Sequence, residues 1–175
     1  MATGKSTVGR RIAVRHGWRF IDTDAEIVDR HGPIPEIFAS RGEPEFRRIE
    51  ADIVSQVLSE AEKEAGRGTV ISLGGGAVLH SATQRLLQSA FVVFLDADLA
   101  TVLPRLAGDT GRPLLAGNAG ETWARLDRER RPIYEALADA VIDTRDATPD
   151  IVVDRLEAQL RRTKFTEEGT LGNDR

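Results

Sequence analysis

Segments with the pattern of helices and segments with the pattern of buried strands alternate along the chain. Compact apolar runs at 69–73 and 91–95 are typical of buried strands, and shorter strands are predicted at 19–21 and 140–143. Because parallel strands of one sheet are joined by crossover helices, this order predicts an α/β fold with a parallel sheet covered by helices on both faces. The predicted helices lie at about 5–16, 24–30, 45–58, 84–88, 98–106, 121–138 and 150–161.

The composition excludes several classes of function. The 175 residues include 30% charged residues and carry a formal net charge of -4, which gives no general attraction to nucleic acid or to an anionic membrane. No apolar run is long enough to span a bilayer. The absence of cysteine excludes disulfides, thiol catalysis and cysteine-based metal sites. We therefore expect one cytoplasmic domain over 1–162, without nucleic-acid or membrane partners.

Two segments lack the periodicity of a helix or a strand. Residues 108–120 are rich in glycine, proline and aspartate, and a loop of that length inside a compact domain is usually functional. We expect a lid at about 107–120. Residues 163–175 are polar and aperiodic, so a disordered tail is expected there.

The four residues from Gly4 to Thr7 match the second half of the phosphate-binding motif G-x-x-x-x-G-K-[ST]. Glycine lets the backbone approach a phosphate, whose charge is met by amides at a helix N-terminus. In the complete motif the lysine reaches the β- and γ-phosphates and the hydroxyl residue ligates Mg²⁺. A helix that merely opens with these residues is the alternative. The first glycine of the motif would lie five residues before Gly4, ahead of Met1.

Asp22 and Asp24 follow the predicted strand at 19–21, at the place where open α/β folds bind ligands. Two acids at this spacing suit two tasks, one close to a metal ion and one on the hydroxyl group of a substrate. A turn in which Asp24 caps the next helix explains the same pair equally well. The spacing alone leaves both interpretations open.

Three further segments carry groups that bind anions or hydroxyls. Arg47 and Arg48 are adjacent on a predicted helix, so one of the two guanidinium groups can point inward. Gly74–Gly76 follow a buried strand and offer bare backbone amides. Arg112 lies in the expected lid. Each segment also has a plain structural explanation, namely an exposed helix face, a connecting turn and an incidental loop charge.

Read together, these motifs resemble those of the shikimate kinase family. The resemblance runs from Gly4 to about Arg161 and rests on four motifs in this order: Asp-Thr-Asp at 22–24, Phe-Arg-Arg-Ile-Glu at 46–50, Gly-Gly-Gly at 74–76 and Arg-Pro-Leu-Leu at 112–115. It implies a three-layer P-loop kinase fold with a lid and a central parallel sheet of five strands, the first of them absent from this chain. It also implies that Met1 corresponds to an internal methionine of the phosphate loop, and that about ten additional residues would contain the first strand.

The resemblance implies which residues bind ATP and Mg²⁺. Lys5 would contact the β- and γ-phosphates, and Arg112 would close over them during transfer. Ser6 and Asp22 would hold Mg²⁺. The remaining nucleotide contacts would come from Gly4, Thr7 and Arg105, the last of these near the adenine. Residues 145–149 depart from the basic pattern of the family, which leaves adenine contacts there open.

The resemblance also implies how shikimate is bound. Asp24 would hold its hydroxyls and orient or deprotonate the attacking 3-hydroxyl, so Asp24 joins Lys5 and Arg112 as a catalytic residue. Arg47 and Arg130 would pair with the substrate carboxylate. Backbone contacts would come from Gly74, Gly75 and Gly76.

The implied reaction transfers the ATP γ-phosphoryl group to the 3-hydroxyl of shikimate, giving shikimate 3-phosphate and ADP, in aromatic amino-acid biosynthesis. A monomer is expected. Two alternatives stay open: another kinase of the same superfamily, such as a gluconate kinase or a nucleotide-monophosphate kinase, and a non-catalytic module that binds shikimate without ATP because the phosphate loop is incomplete.

Overall fold

The computed structural model describes residues 2–64, 66, 68–106 and 118–170, with 163–170 as backbone only. The helices are α1 (Lys5–His16), α2 (Thr23–His31), α3 (Ile34–Lys63), α4 (Ser81–Leu87), α5 (Leu99–Leu106), α6 (Ala119–Leu137) and α7 (Pro149–Thr170). The strands are β1 (Arg19–Asp22), β2 (Thr69–Ser72), β3 (Val93–Asp96) and β4 (Ala140–Asp143), and a short 3₁₀ turn covers Ala77–Leu79.

Local sequence explains several element ends. Gly17 ends α1 with a left-handed backbone (φ 66°), a conformation that glycine adopts without steric cost. Asp98 precedes α5 and accepts a hydrogen bond from the Thr101 amide at 2.8 Å, which confirms the predicted cap. Within α3, Gly42 leaves the helical conformation (φ 78°, ψ 169°) shortly before Pro44. The helix is therefore kinked into two segments, and the second carries the predicted amphipathic pattern.

The strands pair in parallel, as the alternation of elements predicts. In one pair Arg19 to Asp22 of β1 lie opposite Thr69 to Ser72 of β2. In the other, Val93 to Asp96 of β3 lie opposite Ala140 to Asp143 of β4. Both pairs end close to the start of α1, because the Ser72 hydroxyl lies 3.4 Å from that of Ser6 and Ala2 packs against the cluster that contains Ala97. The carboxyl ends of the strands therefore face one region.

Helices cover the strands on both faces, which gives the predicted three layers. On one face α1 and α7 pack against β3 and β4, through a core of Val8, Ile12, Leu95, Ile142, Val152, Val153 and Leu156. On the other, α3, α4 and α6 meet around Val54, Leu58, Ala77, Val78 and Leu87. In the described parts of the chain, no helix carries an apolar stretch long enough to cross a membrane.

The sheet differs from a continuous one at its centre. Among the described residues β2 and β3 share no ladder of hydrogen bonds, so the four strands form two separate pairs. A groove of about 420 Å³ lies between the facing edges, with Lys5 and Ser72 among its lining residues. Its other walls are mainly apolar and include Val8, Ile12, Val70, Val93 and Leu95. A parallel strand between β2 and β3 would pair with both edges and fill this groove.

The C-terminal helix also differs from the prediction. It continues to Thr170, past the end near Arg161 that the sequence pattern indicates. Residues 171–175 lie outside the described residues, as do 107–117, which make up most of the expected lid.

Candidate active site

The N-terminus of α1 is open to an anion. Gly4 precedes the helix in the left-handed region (φ 90°), and beyond its two chain neighbours no atom of the described residues lies within 4 Å of the position where a Cβ would stand. The first turn contains no acidic residue. Because the first amides of a helix lack carbonyl partners within the helix and carry partial positive charge, this end fits a phosphate group.

Ser6 and Asp22, the two residues predicted to hold Mg²⁺, lie in contact. The Ser6 hydroxyl donates to Oδ2 of Asp22 at 2.5 Å. The other carboxylate oxygen, Oδ1, accepts from the amides of Asp24 at 3.1 Å and Ala25 at 3.4 Å. Asp22 therefore caps α2, and the alternative in which Asp24 is the cap is wrong. The capping bonds fix the carboxylate with one oxygen directed at Ser6.

These two side chains are hard oxygen donors of the kind that Mg²⁺ prefers. Within the described ranges, no cluster of three or more His, Cys, Asp or Glu side chains is arranged to hold a metal ion by itself. Mg²⁺ usually keeps several waters and binds through one or two protein groups together with substrate phosphates. The pair therefore fits a metal ion that arrives with a nucleotide.

Asp24 lies against the glycine segment. A Cβ added to Gly74 would stand 2.6 Å from Oδ1 of Asp24 and 2.6 Å from Oε1 of Glu50, so both carboxylates approach this residue closely. The Thr23 hydroxyl accepts from the Gly74 amide at 3.0 Å and donates to the Ser72 carbonyl at 3.2 Å. These bonds join the end of β1 to the end of β2 and hold Asp24 beside the glycines.

The two adjacent arginines of α3 point in different directions, as the sequence allows. The Arg48 side chain is 63% exposed and pairs with surface acids. The Arg47 side chain is only 18% exposed and donates to Glu50 at 2.7 Å and to Glu43 at 3.0 Å. Its guanidinium packs directly on Gly76, where even a methyl group would overlap Nη1. Arg47 is therefore the inward arginine, and it meets the glycine segment.

Arg130 of α6 belongs to the same cluster, because its charge acts on Glu50. Its residue exposure is 5%, and that of Glu50 is 2%. Burial raises the pKa of Glu50, while the neighbouring charges of Arg47 and Arg130 act in the opposite direction. The charges of two guanidinium groups and of Asp24 thus act on one buried carboxylate. This arrangement suits a small ligand that carries both a carboxylate and hydroxyl groups.

Sequence reasoning did not identify Glu50 as part of the site. Glu50 follows Arg47 by three positions and stands between the buried residues Ile49 and Ile53. An acid on the apolar face of an amphipathic helix, one turn from an arginine, is the signal that could have found it.

A substitution at Gly76 tests the position of the Arg47 side chain directly. The backbone of Gly76 is right-handed (φ -96°, ψ -13°), so alanine is tolerated by the main chain, and the three atoms nearest to its methyl group all belong to the Arg47 guanidinium. We expect Gly76→Ala to raise the KM for the carboxylate substrate roughly 10-fold or more, the loss of about one charged hydrogen bond, with the KM for ATP unchanged in steady-state assays. Gly120→Ala, whose methyl would meet the flexible end of Leu103 at 3.1 Å, is the control. An unchanged KM for the carboxylate substrate in Gly76→Ala would contradict the contact.

The nucleotide residues predicted outside the phosphate loop are only partly described. Arg105 of α5 donates to the Ala2 carbonyl at 3.1 Å, which places it beside the loop. Arg112 and Met1 lie outside the described residues. Arg145 pairs with both oxygens of Asp143 at 2.9 and 2.8 Å and lowers the pKa of that carboxyl to about 2. The guanidinium of Arg145 is thus already held by the end of β4.

Comparison with known proteins finds shikimate kinases both by sequence and by structure. A family model described as shikimate kinase matches residues 1–161. The shikimate kinase of Mycobacterium avium is 42% identical over 170 residues, which cover 96% of this chain and 93% of the relative. A solved shikimate kinase from Acinetobacter baumannii, in complex with shikimate, matches with a TM-score of 0.84 and 32% identity, covering 93% of this chain and 89% of that one.

A gluconokinase from Sinorhizobium meliloti matches with a TM-score of 0.62, covering 99% of this chain and 93% of that one. Because its sequence identity is only 22%, this match shows a shared fold and nothing about the substrate.

Proposed function

The chain belongs to the shikimate kinase family, and on that premise we propose that the described cluster binds shikimate while the N-terminus of α1 binds the phosphates of ATP. The family consists of ATP-dependent transferases that phosphorylate shikimate in aromatic amino-acid biosynthesis, and the reaction of this chain gives shikimate 3-phosphate and ADP. The observation that carries the assignment of residues is that Asp24 and Arg47 lie against the glycine segment Gly74–Gly76, with Arg130 near Glu50 in the same cluster.

The two guanidinium groups bind the carboxylate of shikimate. Arg47 has Glu43 as an exposed partner and Glu50 as a buried one. Exchanging the exposed partner for the substrate carboxylate leaves the buried pair intact, so Arg47 keeps its orientation when the ligand binds. Arg130 supplies the second cation. An arginine matches a carboxylate in geometry as well as in charge, which favours this role over that of a simple positive patch.

The phosphates of ATP bind at the other end of the site. The first amides of α1 and the side chains of Lys5 and Thr7 meet their charge, and the open backbone of Gly4 lets them approach. Ser6 and Asp22 would hold Mg²⁺, which would neutralise the charge that develops on the phosphates during transfer. The contact between the Ser6 hydroxyl and the Asp22 carboxylate supports this pair as the metal-binding position.

Asp24 lies between the two binding regions and acts on the attacking hydroxyl. Since Asp22 caps α2, the Asp24 carboxylate is not required by the helix end. It accepts a hydrogen bond from the 3-hydroxyl of shikimate and orients the oxygen toward the γ-phosphorus. It takes the proton as the new P–O bond forms and the bond from the γ-phosphorus to the bridging oxygen of ATP breaks, which releases ADP. Little covalent work falls to the protein in phosphoryl transfer, so the contribution of the site comes from positioning and charge complementarity.

Arg112 remains a prediction from the family motif. An arginine that closes over the transferring group stabilises charge spread on its oxygens mainly in the transition state. We expect Arg112→Ala to lower kcat by roughly 10³-fold while the Kd for shikimate, measured by calorimetry, changes far less. Equal losses in kcat and in shikimate affinity would contradict the role.

A substrate panel tests the assignment against its rivals. ADP release is measured with Mg·ATP and, separately, shikimate, gluconate and a nucleoside monophosphate. The proposal predicts release with shikimate well above the background hydrolysis of ATP. Release of ADP with gluconate or with the nucleoside monophosphate, but not with shikimate, would favour another kinase of the superfamily. Shikimate binding without any nucleotide binding would favour the non-catalytic alternative.

Two properties of the whole protein belong to the same proposal. The protein acts as a monomer, as the family resemblance implies. A cytoplasmic location follows from the place of the reaction in metabolism. Light scattering of the purified protein and fractionation of cells test these two statements.

A further inference from the structure

The phenol of Tyr134 connects the carboxylate-binding arginine of α6 to the glycine segment. We propose that Tyr134 is a positioning residue for the substrate: its hydroxyl joins Arg130 to the Gly75 carbonyl and so fixes both for shikimate binding. This inference rests on the proposed function.

The first half of this connection is a bond to the backbone. The Tyr134 hydroxyl donates to the Gly75 carbonyl at 2.6 Å. The neighbouring carbonyls of Gly74 and Gly76 accept from amides of the following turn, Ala77 at 3.1 Å and Leu79 at 3.0 Å. The Gly75 carbonyl instead accepts from a different element of the fold. Tyr134 is therefore the contact by which α6 holds the middle of the glycine segment.

Fixing this carbonyl also fixes an amide. A trans peptide is planar, and its N–H points opposite to its C=O. The bond from Tyr134 to the Gly75 carbonyl thus sets the direction of the Gly76 amide. Glycine has the widest backbone freedom of any residue, and three in a row would otherwise sample many orientations. The phenol removes that freedom at the residue on which Arg47 packs.

The second half of the connection is a contact within α6. Arg130 precedes Tyr134 by four positions, one turn away on the same face, so its guanidinium lies within reach of the phenol oxygen. Burial raises the pKa of Tyr134 and outweighs the charge of Arg130, which acts to lower it, so at neutral pH the hydroxyl keeps its proton and can donate to Gly75 while it accepts from Arg130. One hydroxyl thereby contacts both Arg130, which binds the carboxylate of shikimate, and the glycine segment, which lies against the same ligand.

Packing keeps the phenol ring in place. Its centroid lies 5.2 Å from that of Phe94, with a tilt of 37° between the planes. The ring also packs against the core that contains Val54, Val78 and Leu87. A ring held on these sides has few alternative positions, so removal of the hydroxyl alone leaves the packing intact.

Tyr134→Phe isolates the hydroxyl. We expect the KM for shikimate, and its Kd by calorimetry, to rise roughly 3- to 10-fold, the range that corresponds to one ordinary hydrogen bond. The KM for ATP should stay within about twofold, and the fall in kcat should be smaller than the rise in KM. The matched control is Phe94→Leu, which removes aromatic packing on the same ring but keeps both hydrogen bonds. It should lower the melting temperature without changing the KM for shikimate.

A double-mutant cycle with Arg130→Lys tests whether the phenol acts through the arginine. If it does, Tyr134→Phe has a smaller effect in the Arg130→Lys background than in the wild type. An unchanged KM and Kd for shikimate in Tyr134→Phe would overturn the inference. An equal rise in the KM and Kd for shikimate in Phe94→Leu would also overturn it, since both variants would then act through a general structural effect. If the wild type neither binds nor phosphorylates shikimate, the proposed function fails instead, and that result is seen before any variant is made.

Discussion

Asp24→Asn is expected to lower kcat for shikimate by roughly 10²- to 10⁴-fold, the range for loss of a positioned proton acceptor. Asparagine keeps the size of the side chain and a hydrogen-bonding oxygen but cannot take a proton at neutral pH. Since Asp22 rather than Asp24 caps α2, the helix keeps its N-terminus in the variant. Asp24 is itself exposed, so we expect the melting temperature to change by no more than about 2 °C, as for other exposed substitutions.

Asp29→Asn is the matched control for this prediction. Asp29 is exposed on the same helix, five positions further on. Its substitution by asparagine removes the same charge from the same element. Its kcat should equal that of the wild type in the same assay of ADP release. If Asp24→Asn retains more than about a tenth of the wild-type kcat, Asp24 is not the proton acceptor. A fall in the melting temperature as large as that of a core variant would instead assign Asp24 a structural role.

A strand inserted between β2 and β3 is expected to stabilise the protein strongly. The groove there is about 420 Å³ in volume and is lined mainly by apolar side chains. Burying one aliphatic side chain contributes about 1.5–3 kcal/mol, while ordering each residue costs about 1–2 kcal/mol. The new ladder adds about 1 kcal/mol for each backbone hydrogen bond, on two edges at once. We expect a net gain of at least about 3 kcal/mol, or a rise of roughly 6–12 °C in the melting temperature for a chain of this size.

The insertion is made by extending the chain before Met1 by about ten residues, with five β-branched apolar residues and a glycine five positions before Gly4. The control extension has the same length, with serine and aspartate in place of the apolar residues. Calorimetry and chemical denaturation measure both forms. Amide exchange should slow in β2 and β3 of the apolar form alone. Equal stability of the two extended chains would contradict the interpretation of the groove as a strand-binding slot.

Much of the fold can be predicted from local sequence patterns, because local preferences and tertiary packing favour the same helices and strands. The apolar run at 140–143 and the helix that begins at Lys5 appear in the structure with the predicted bounds, because burial pattern, cap residues and tertiary packing all favour the same ends. The direction of strand pairing also follows, since each connection contains a helix.

The site is less predictable because it depends on contacts between distant segments. Asp22 and Asp24 are chemically identical two positions apart, and only the extended backbone of Asp22 (φ -111°, ψ 115°) decides which of them caps α2. Glu50 is hidden in the sequence by the many surface acids that also lie one turn from an arginine. Tyr134 belongs to the site only because α6 crosses the glycine segment, 59 positions away in the chain. Which side chain points inward is therefore set by packing, not by residue type.

The most direct measurement is phosphorus NMR of the product formed from shikimate and Mg·ATP, with this chain beside its strand-extended form. We expect the extended protein to form shikimate 3-phosphate in the same amount as ADP. The rate of the shorter chain, relative to that of the extended form, measures how far the open groove lowers activity. If the extended protein folds and binds ATP but no phosphorus signal of shikimate 3-phosphate appears, the assigned reaction is wrong.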